Sequence, residues 1–197
     1  MHRYFVLYKP FGYLSQFTRE VAEHKTLADL YSFPPDVYPV GRLDKDSEGL
    51  LLVTNDKSLN NKLLNPKFSH SRTYWVQVEG DVTPAALQQL REGVTIRLDK
   101  KDYQTRPAQV RKLTSPPVVP DRDPPIRFRK NIPESWIELI LTEGKNRQVR
   151  RMCAAVGFPV LRLIRVKIED LKLKPLEVGL VQEWKKEPLF KWLFPAK

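Results

Sequence analysis

The sequence predicts an α+β fold in which a mostly antiparallel sheet is flanked by helices. Two observations carry this prediction: candidate strands outnumber candidate helices, and the elements do not alternate as regular βαβ units. The 197 residues can bury a sizeable core. We therefore expect a single domain over residues 1–197, made of two packed halves.

Four elements are predicted in the first 70 residues. Alternating aromatic and β-branched residues favour a strand over 4–8, which the Lys9-Pro10-Phe11-Gly12 turn ends. A Thr cap with Asp29 three residues later favours a short helix over 26–31. The apolar run at 50–54 predicts a buried strand, and leucines four apart predict a short helix over 58–64.

The rest of the chain continues with strands and two helices. Strands are predicted at 72–79, twice within 95–112, at 136–142 and at 160–168, because apolar residues alternate there. A helix is predicted from Pro84 to Gly93, with Thr83 as its N-cap, and another from near Asn146 to Gly157. The six prolines of 115–133 exclude a regular element. Phe190, Trp192 and Phe194 in the tail are expected to dock onto the body, since exposed aromatics are a liability.

The charge of the chain points to a polyanionic partner. Lys and Arg exceed Asp and Glu by 34 − 23 = 11, which favours nucleic acid. The alternative, a cationic surface that only maintains solubility, explains the net charge but not its clustering. In the predicted helix after Asn146, one face is apolar and the other carries Arg147, Arg150 and Arg151.

Several chemistries are not indicated. The single cysteine, Cys153, cannot form an internal disulfide and is predicted to be a core residue in a reducing compartment. His2, His24 and His70 are scattered and predicted to lie on the surface, so neither metal nor cofactor is expected. No apolar run approaches the roughly 18 residues of a membrane span, and no signal peptide is recognisable at Met1. We expect a cytoplasmic protein.

The residues just before the strand at 50–54 are unusually charged. Asp44, Asp46 and Glu48 stand there with Arg42 and Lys45, between Gly41 and Gly49. From the residue types this segment is either a reactive site at the mouth of a strand or a solvated turn that starts the strand.

The sequence Gly-Arg-Leu-Asp-x-Asp-Ser-Glu-Gly-Leu-Leu from Gly41 to Leu51 resembles the signature of RNA pseudouridine synthases of the RsuA/RluA type. The resemblance implies a pseudouridine synthase fold, with a curved mixed sheet and a central cleft, and no cofactor. It implies that Asp44 is the catalytic carboxylate. Two further segments, Arg72-Thr73-Tyr74 and Glu143 to Met152, resemble the family. They imply that Tyr74 lies against the target base and that Arg150 pairs with Asp44. The Lys9-Pro10 turn resembles a family segment that borders the RNA cleft, and it suits an ordinary turn equally well.

Basic residues near the three motifs are expected to bind RNA. They are Arg42, Lys45, Arg127, Arg129, Lys145, Arg147, Arg151, Arg162 and Arg165. The segments from Asp123 to Trp136 and from Gly157 to Arg165 are most similar to the branch of the family that modifies 23S (large-subunit) ribosomal RNA. As in that branch, we expect no N-terminal S4 domain, and we expect a monomer.

The residues leave the mechanism open. A carboxylate could attack the base at C6, attack the sugar at C1′, or act as a base toward the sugar. Asp46 and Glu48 are alternatives to Asp44 by their position, although both also suit a cap or turn. A flipped uridine would call for an aromatic platform such as Tyr74. The rival function is a non-catalytic RNA-binding factor in ribosome assembly; a metal-dependent nuclease fits less well, because it needs carboxylates from several strands.

Overall fold

A computed structural model describes residues 1–126, 132–173 and 175–195. It divides into two compact units: the first contains 1–70 and the chain from 164 onward, and the second contains 71–163. Each unit has its own hydrophobic cluster of buried side chains. The expectation that both units act as one catalytic domain stays a prediction.

The elements of the chain up to residue 70 all belong to the first unit. They are β1 (Tyr4–Lys9), β2 (Tyr13–Leu14), β3 (Lys25–Thr26), β4 (Tyr38–Pro39), β5 (Glu48–Thr54) and α1 (Lys57–Leu64), with 3₁₀ turns at Leu27–Asp29 and Pro66–Phe68.

The second unit follows, and the chain then returns to the first. The remaining elements are β6 (Arg72–Glu79), α2 (Pro84–Glu92), β7 (Thr95–Leu98), β8 (Lys101–Gln104), β9 (Gln109–Lys112), β10 (Glu134–Leu141), α3 (Gln148–Ala155), β11 (Val160–Ile168), β12 (Leu171–Lys172), β13 (Val181–Trp184) and α4 (Lys186–Leu193). β11 runs across the boundary between the units.

The strands of the first unit are ordered β13-β1-β5-β11, with β4 also on β5 and β12 on β11. β1 is antiparallel to both of its neighbours, whereas β5 and β11 are parallel. Every residue of β1 and β5 is buried, which is why both segments read as near-continuous apolar runs.

In the second unit, β10 lies between β6 and β9, and both pairs are antiparallel. β7 and β8 form a separate hairpin. Helices α2 and α3 contribute Leu87, Leu90, Val149 and Met152 to the cluster beneath these strands. The α+β class and the mostly antiparallel pairing are confirmed.

The principal elements agree with the sequence prediction to within two residues, and the differences have local causes. The segment 26–31 forms only the 3₁₀ turn 27–29, although its predicted capping box of Thr26 and Asp29 is present. Three strands, not two, lie within 95–112, because Asp99 and Lys100 adopt left-handed conformations that make a tight turn. β13, which the sequence does not predict, pairs with the edge of β1.

Two expectations about buried and exposed side chains were wrong. Trp192 does not dock, because it is 47% exposed while Leu189 and Leu193 take the inward positions of α4. His70 is not a free surface residue, since its Nδ1 lies 2.9 Å from Glu169 Oε1. Cys153 is a fully buried core residue as predicted, and burial raises the pKa of its thiol to about 12.

Among the described residues, no helix has the length and apolar character needed to cross a membrane.

The Gly49→Ala substitution should destabilise the first unit strongly. Gly49 has φ of +107°, and a Cβ there would lie 2.3 Å from the carbonyl oxygen of Arg165 on β11. Backbone strain at such a φ costs about 1–3 kcal/mol, and the overlap adds to it because two main chains must separate.

Gly12→Ala is the matched control, since Gly12 has φ of +82° but no atom within 4 Å of the position that a Cβ would take. Urea unfolding of both variants measures the difference. Equal losses of stability would show that the close approach of β5 and β11 contributes nothing.

Candidate active site

The loop that precedes β5 is fixed by its buried leucine. Leu43 is 7% exposed and packs in the hydrophobic cluster with Phe5 and Leu51. The buried Ser15 hydroxyl donates to the Leu43 carbonyl (2.9 Å) and accepts from the Leu43 amide (3.1 Å). Both main-chain groups of the residue before Asp44 are therefore held by one side chain.

The residues after Leu43 form a turn that the main chain also holds. The Ser47 amide donates to the Asp44 carbonyl (3.0 Å), and the Gly12 amide donates to the Lys45 carbonyl (2.8 Å). Asp44 and Asp46 are half-buried, whereas Arg42 and Lys45 are exposed. The turn thus holds Asp44 on a backbone fixed from both sides.

Glu48 differs from the two aspartates because it is the first residue of β5 and is 2% exposed. Across the parallel pairing it is aligned with Ile164, and Gly49 is aligned with Arg165. Arg165 is 4% exposed, and its Nε donates to the Leu50 carbonyl (2.7 Å). The mouth of β5 therefore contains buried charges of both signs.

Lys9 is the most unusual charged group of this region. It is fully buried at the end of β1, opposite Gly49 on β5, and its Nζ donates to the carbonyls of Pro10 (2.9 Å) and Tyr13 (2.6 Å). Burial lowers the pKa of Lys9 to about 7, although the charges of Glu48, Asp44 and Asp46 act in the opposite direction. Arg165 reinforces the lowering. Lys9 is thus a buried amine close to the loop carboxylates.

Tyr74 lies in the second unit on β6, aligned with Leu139 of β10. It is half-buried and packs against the hydrophobic cluster of that unit. Its ring is anchored on one side, as both a base platform and an ordinary core tyrosine would require.

The segment Glu143–Arg147 is shaped by two buried polar residues. Glu143, 5% exposed, accepts from the Tyr103 hydroxyl (2.6 Å), the Arg106 amide (2.9 Å) and Gln148 Nε2 (2.6 Å). Burial acts to raise the pKa of Glu143, but these hydrogen bonds outweigh it and the pKa is lowered. Gln148 Oε1 in turn accepts from the Lys145 amide (2.9 Å).

The basic residues after Glu143 are held in different ways. Arg147 is exposed and caps α3 in a left-handed conformation, φ 50°. Arg150 is half-buried and donates to the Val160 carbonyl (3.3 Å). Arg151 donates to the carbonyls of Arg97 and Asn146 and to the Asn146 side chain. Lys145 Nζ lies 4.8 Å from the centre of the Tyr103 ring.

The remaining predicted site residues are either buried or outside the described part of the chain. Arg162 is 6% exposed and donates to the Pro120 carbonyl (2.9 Å), so it offers little surface to RNA, as does Arg165. Arg127 and Arg129 lie outside the described residues. The pairing of Arg150 with Asp44 joins residues of different units and stays a prediction, as do the roles of all site residues.

Three supporting residues were missed as parts of the site: Ser15, Tyr103 and Gln148. The Lys9-Pro10 turn was noted for its resemblance to a family motif, but the burial of Lys9 was not predicted. Ser15 and Tyr103 reach their motifs from distant segments, which no sequence spacing indicates. Within the described ranges, no group of three or more His, Cys, Asp or Glu side chains could hold a metal ion.

Comparison with known proteins identifies the family. The family model described as RNA pseudouridylate synthase matches residues 3–155, which is more than half of the chain. The chain belongs to the RNA pseudouridylate synthase family. It is an isomerase that converts uridine in RNA to pseudouridine.

The relatives are more specific. The chain is 53% identical over 172 residues to the ribosomal large subunit pseudouridine synthase E of Xanthomonas axonopodis pv. citri, covering 87% of this chain and 88% of that protein. It is 50% identical over 175 residues to the synthase of the same name from Xanthomonas campestris pv. campestris, covering 88% and 91%. These identities confirm the family and the branch that the motifs predicted.

A solved structure confirms the fold. The crystal structure of a pseudouridylate synthase matches with a TM-score of 0.78 and 27% identity, covering 98% of this chain and 74% of that one. The predicted pseudouridine synthase fold is therefore correct.

Lys9→Met should change how stability depends on pH. Because the pKa of Lys9 falls from 10.5 to about 7 on folding, the unfolded chain binds more protons between these values. The contribution of Lys9 to stability must then rise with pH from about 7 to about 10, with a slope of up to about 1.4 kcal/mol per pH unit.

The measurement is the difference in unfolding free energy between wild type and Lys9→Met from pH 6.5 to 10. Below about pH 7 the difference should be flat. A flat difference over the whole range would mean that the loop carboxylates keep the amine charged. Lys25→Met, at an exposed lysine of the same unit, is the control and should show no such slope.

Proposed function

We propose that this protein converts a specific uridine of 23S (large-subunit) ribosomal RNA to pseudouridine, with Asp44 as the catalytic carboxylate. The observation that carries the proposal is the backbone of the loop that bears Asp44, which Ser15, Gly12 and the buried Leu43 hold at the mouth of β5. The identity of about half to large-subunit synthases from two species supports the choice of substrate. We propose action in the cytoplasm, as a monomer and without a cofactor.

The reaction breaks the N-glycosidic bond, turns the base and joins its C5 to C1′. The ionised carboxylate of Asp44 acts on the base or the sugar, and the proton at C5 must leave before the product is complete. The fixed backbone lowers the cost of placing the carboxylate, because little conformational freedom remains to be lost when substrate binds.

We assign the other residues from the family motifs and from their burial. Tyr74 presents its ring to the flipped uridine, and the Arg150 guanidinium orients the carboxylate of Asp44 and keeps it ionised. Exposed Arg42, Lys45, Lys145 and Arg147 contact phosphates. Arg162 and Arg165, which are buried and donate to main-chain carbonyls, support the motifs instead.

A non-catalytic assembly factor is the second candidate, and Asp44 distinguishes the two functions. A protein that only binds RNA gains nothing from a carboxylate in a basic site, because it repels phosphate. Asp44→Asn should therefore abolish pseudouridine formation, while RNA binding stays equal or becomes tighter.

Asp46→Asn is the matched control, because it removes the same charge two residues away on the same half-buried loop. We expect it to retain most of the activity. The measurement is pseudouridine formation in a 23S ribosomal RNA transcript under single-turnover conditions, together with the Kd. Substantial turnover by Asp44→Asn would reject the assignment.

Arg147 and Arg151 should respond differently to substitution by alanine. If Arg147 contacts a phosphate, its loss should lower the slope of log affinity against log salt by about 0.7 to 0.9. Arg151 is occupied by Asn146 and the Arg97 carbonyl, so its loss should lower the melting temperature and leave the salt slope nearly unchanged.

The two variants are measured side by side by RNA binding at several KCl concentrations and by thermal unfolding. A reduced slope for Arg151→Ala without destabilisation would place Arg151 among the phosphate contacts, as its sequence position suggested.

A further inference from the structure

One surface of the first unit carries lysines and exposed apolar side chains and has no part in the proposed chemistry. It consists of residues 57–70, with α1 and the following 3₁₀ turn, and residues 185–195, with α4; we call it the lysine face. The lysines are Lys57, Lys62, Lys67, Lys185, Lys186 and Lys191. All six are exposed, and Glu187 is the single acid in these two segments, which gives a net charge of 6 − 1 = +5.

The two segments of the lysine face are in contact. The Phe194 ring of the tail packs against His70 at 5.4 Å between ring centres, and Lys62 Nζ lies 3.9 Å from the centre of the Phe194 ring. Phe190 packs against Tyr4 of β1, and the buried Leu189 and Leu193 complete the attachment of α4. The two segments therefore pack side by side in this unit, with Lys62 at their contact.

The acidic side chains beside the lysine face already have hydrogen-bond or ion-pair partners. Glu169 is bonded to His70, and Asp170 is paired with Lys167. Asp56 accepts from the Tyr4 hydroxyl and from the first amides of α1. Lys167 offsets the charge of Asp170, and hydrogen bonds hold the other two carboxylates in place. With six lysines against one acid in its own two segments, the surface is positively charged.

Apolar side chains are exposed on the same surface. Trp192 is 47% exposed and Phe68 is 44% exposed, with Lys67 Nζ 4.8 Å from the centre of the Phe68 ring. Exposed aromatic rings among cations are what a single-stranded nucleic acid requires, because the phosphates meet the charges and the bases stack on the rings.

The lysine face also borders the loop that carries Asp44. A Cβ added at Gly41 would lie 3.0 Å from Cδ2 of Leu64, the last residue of α1. Gly41 precedes Arg42, and Leu64 is 41% exposed. A strand of RNA that passes Arg42 can therefore continue over the end of α1 toward Lys67 and Phe68.

We propose that the lysine face binds RNA that flanks the target uridine, with Lys67 and Lys191 on phosphates and Phe68 and Trp192 stacked on unpaired bases. The inference rests on the proposed RNA substrate but not on the identity of the catalytic carboxylate. The positive charges of the lysine face attract RNA of any sequence, so this face increases the affinity for RNA without selecting the target uridine.

The test compares the double variant Lys67→Gln, Lys191→Gln with the control Lys100→Gln, Lys101→Gln. The control removes the same charge from the exposed β7–β8 turn, where Asp99 precedes the two lysines and Asp102 pairs with Arg97. Binding to a protein-free 23S ribosomal RNA transcript is measured at several KCl concentrations. We expect the first pair to lower the salt slope by about 1.4 to 1.8, which is two phosphate contacts, and the control to lower it much less.

The aromatic part is tested with Trp192→Ala and Trp192→Phe. Losing one stacked base should weaken binding of the Ala variant at least about fivefold at every salt concentration, and the Phe variant should recover most of the affinity. Single-turnover rates at saturating RNA should equal that of wild type for all these variants, because none of them touches the reacting uridine.

Three outcomes would overturn the inference. They are a wild-type salt slope for Lys67→Gln, Lys191→Gln, an equal loss in the control pair, or a binding defect seen with protein-containing ribosomal particles but not with the RNA transcript. The last would assign the lysine face to a protein partner. The proposed function is tested by a different measurement, the pseudouridine formation that remains in Asp44→Asn. A failure of the lysine-face proposal can therefore be distinguished from a failure of the proposed function.

Discussion

The close approach of β5 and β11 at Gly49 is the constraint on which the site of the first unit depends. Only glycine fits there, because any Cβ would overlap the Arg165 main chain. The approach aligns Gly49 with Arg165, and the Arg165 side chain returns to the Leu50 carbonyl. A parallel pairing thus fixes the start of β5, and the start of β5 fixes the end of the loop that carries Asp44.

The charges around this loop solve a problem that any acidic catalyst of RNA chemistry faces. Carboxylates repel the phosphates of the substrate, yet the role proposed for Asp44 requires an ionised carboxylate. The charges of Glu48, Asp44 and Asp46 act on Lys9, and Arg165 is aligned with Gly49 next to Glu48; both basic side chains are buried. They can offset the negative charge of the loop from inside the unit, which leaves exposed Arg42 and Lys45 available to the RNA.

The elements were predicted well because helix caps and apolar periodicity are encoded within a few neighbouring residues. Helix α2 begins after Thr83 at Pro84 and ends before Gly93 as expected, and the apolar run after Gly49 forms the buried β5. Burial was not predicted where tertiary partners decide it. Arg162 and Arg165 were predicted to bind RNA, and both side chains are buried with main-chain acceptors at Pro120 and Leu50.

The motifs predicted the residues of the site, but they did not predict the hydrogen bonds that hold the motif segments in place. Ser15 stands 28 residues from Leu43 and Tyr103 stands 40 from Glu143, and neither partner can be inferred from spacing in one sequence. A buried hydroxyl or carboxylate needs a partner, which says that such contacts exist without saying where. The family resemblance filled part of this gap, because it assigned roles to Asp44, Tyr74 and Arg150 that their residue types left open.

The arginines and the lysines of this chain are held in different ways, which suits them to different functions. Arg151, Arg162 and Arg165 donate to main-chain carbonyls and thereby stiffen the segments that carry the motifs. The lysines of α1 and α4 are exposed on flexible stems and act as point charges. Guanidinium groups held by main-chain acceptors keep one position, which the proposed selection of a single uridine requires. Ammonium groups on flexible stems can follow many paths of an RNA backbone, which the proposed binding of flanking RNA requires.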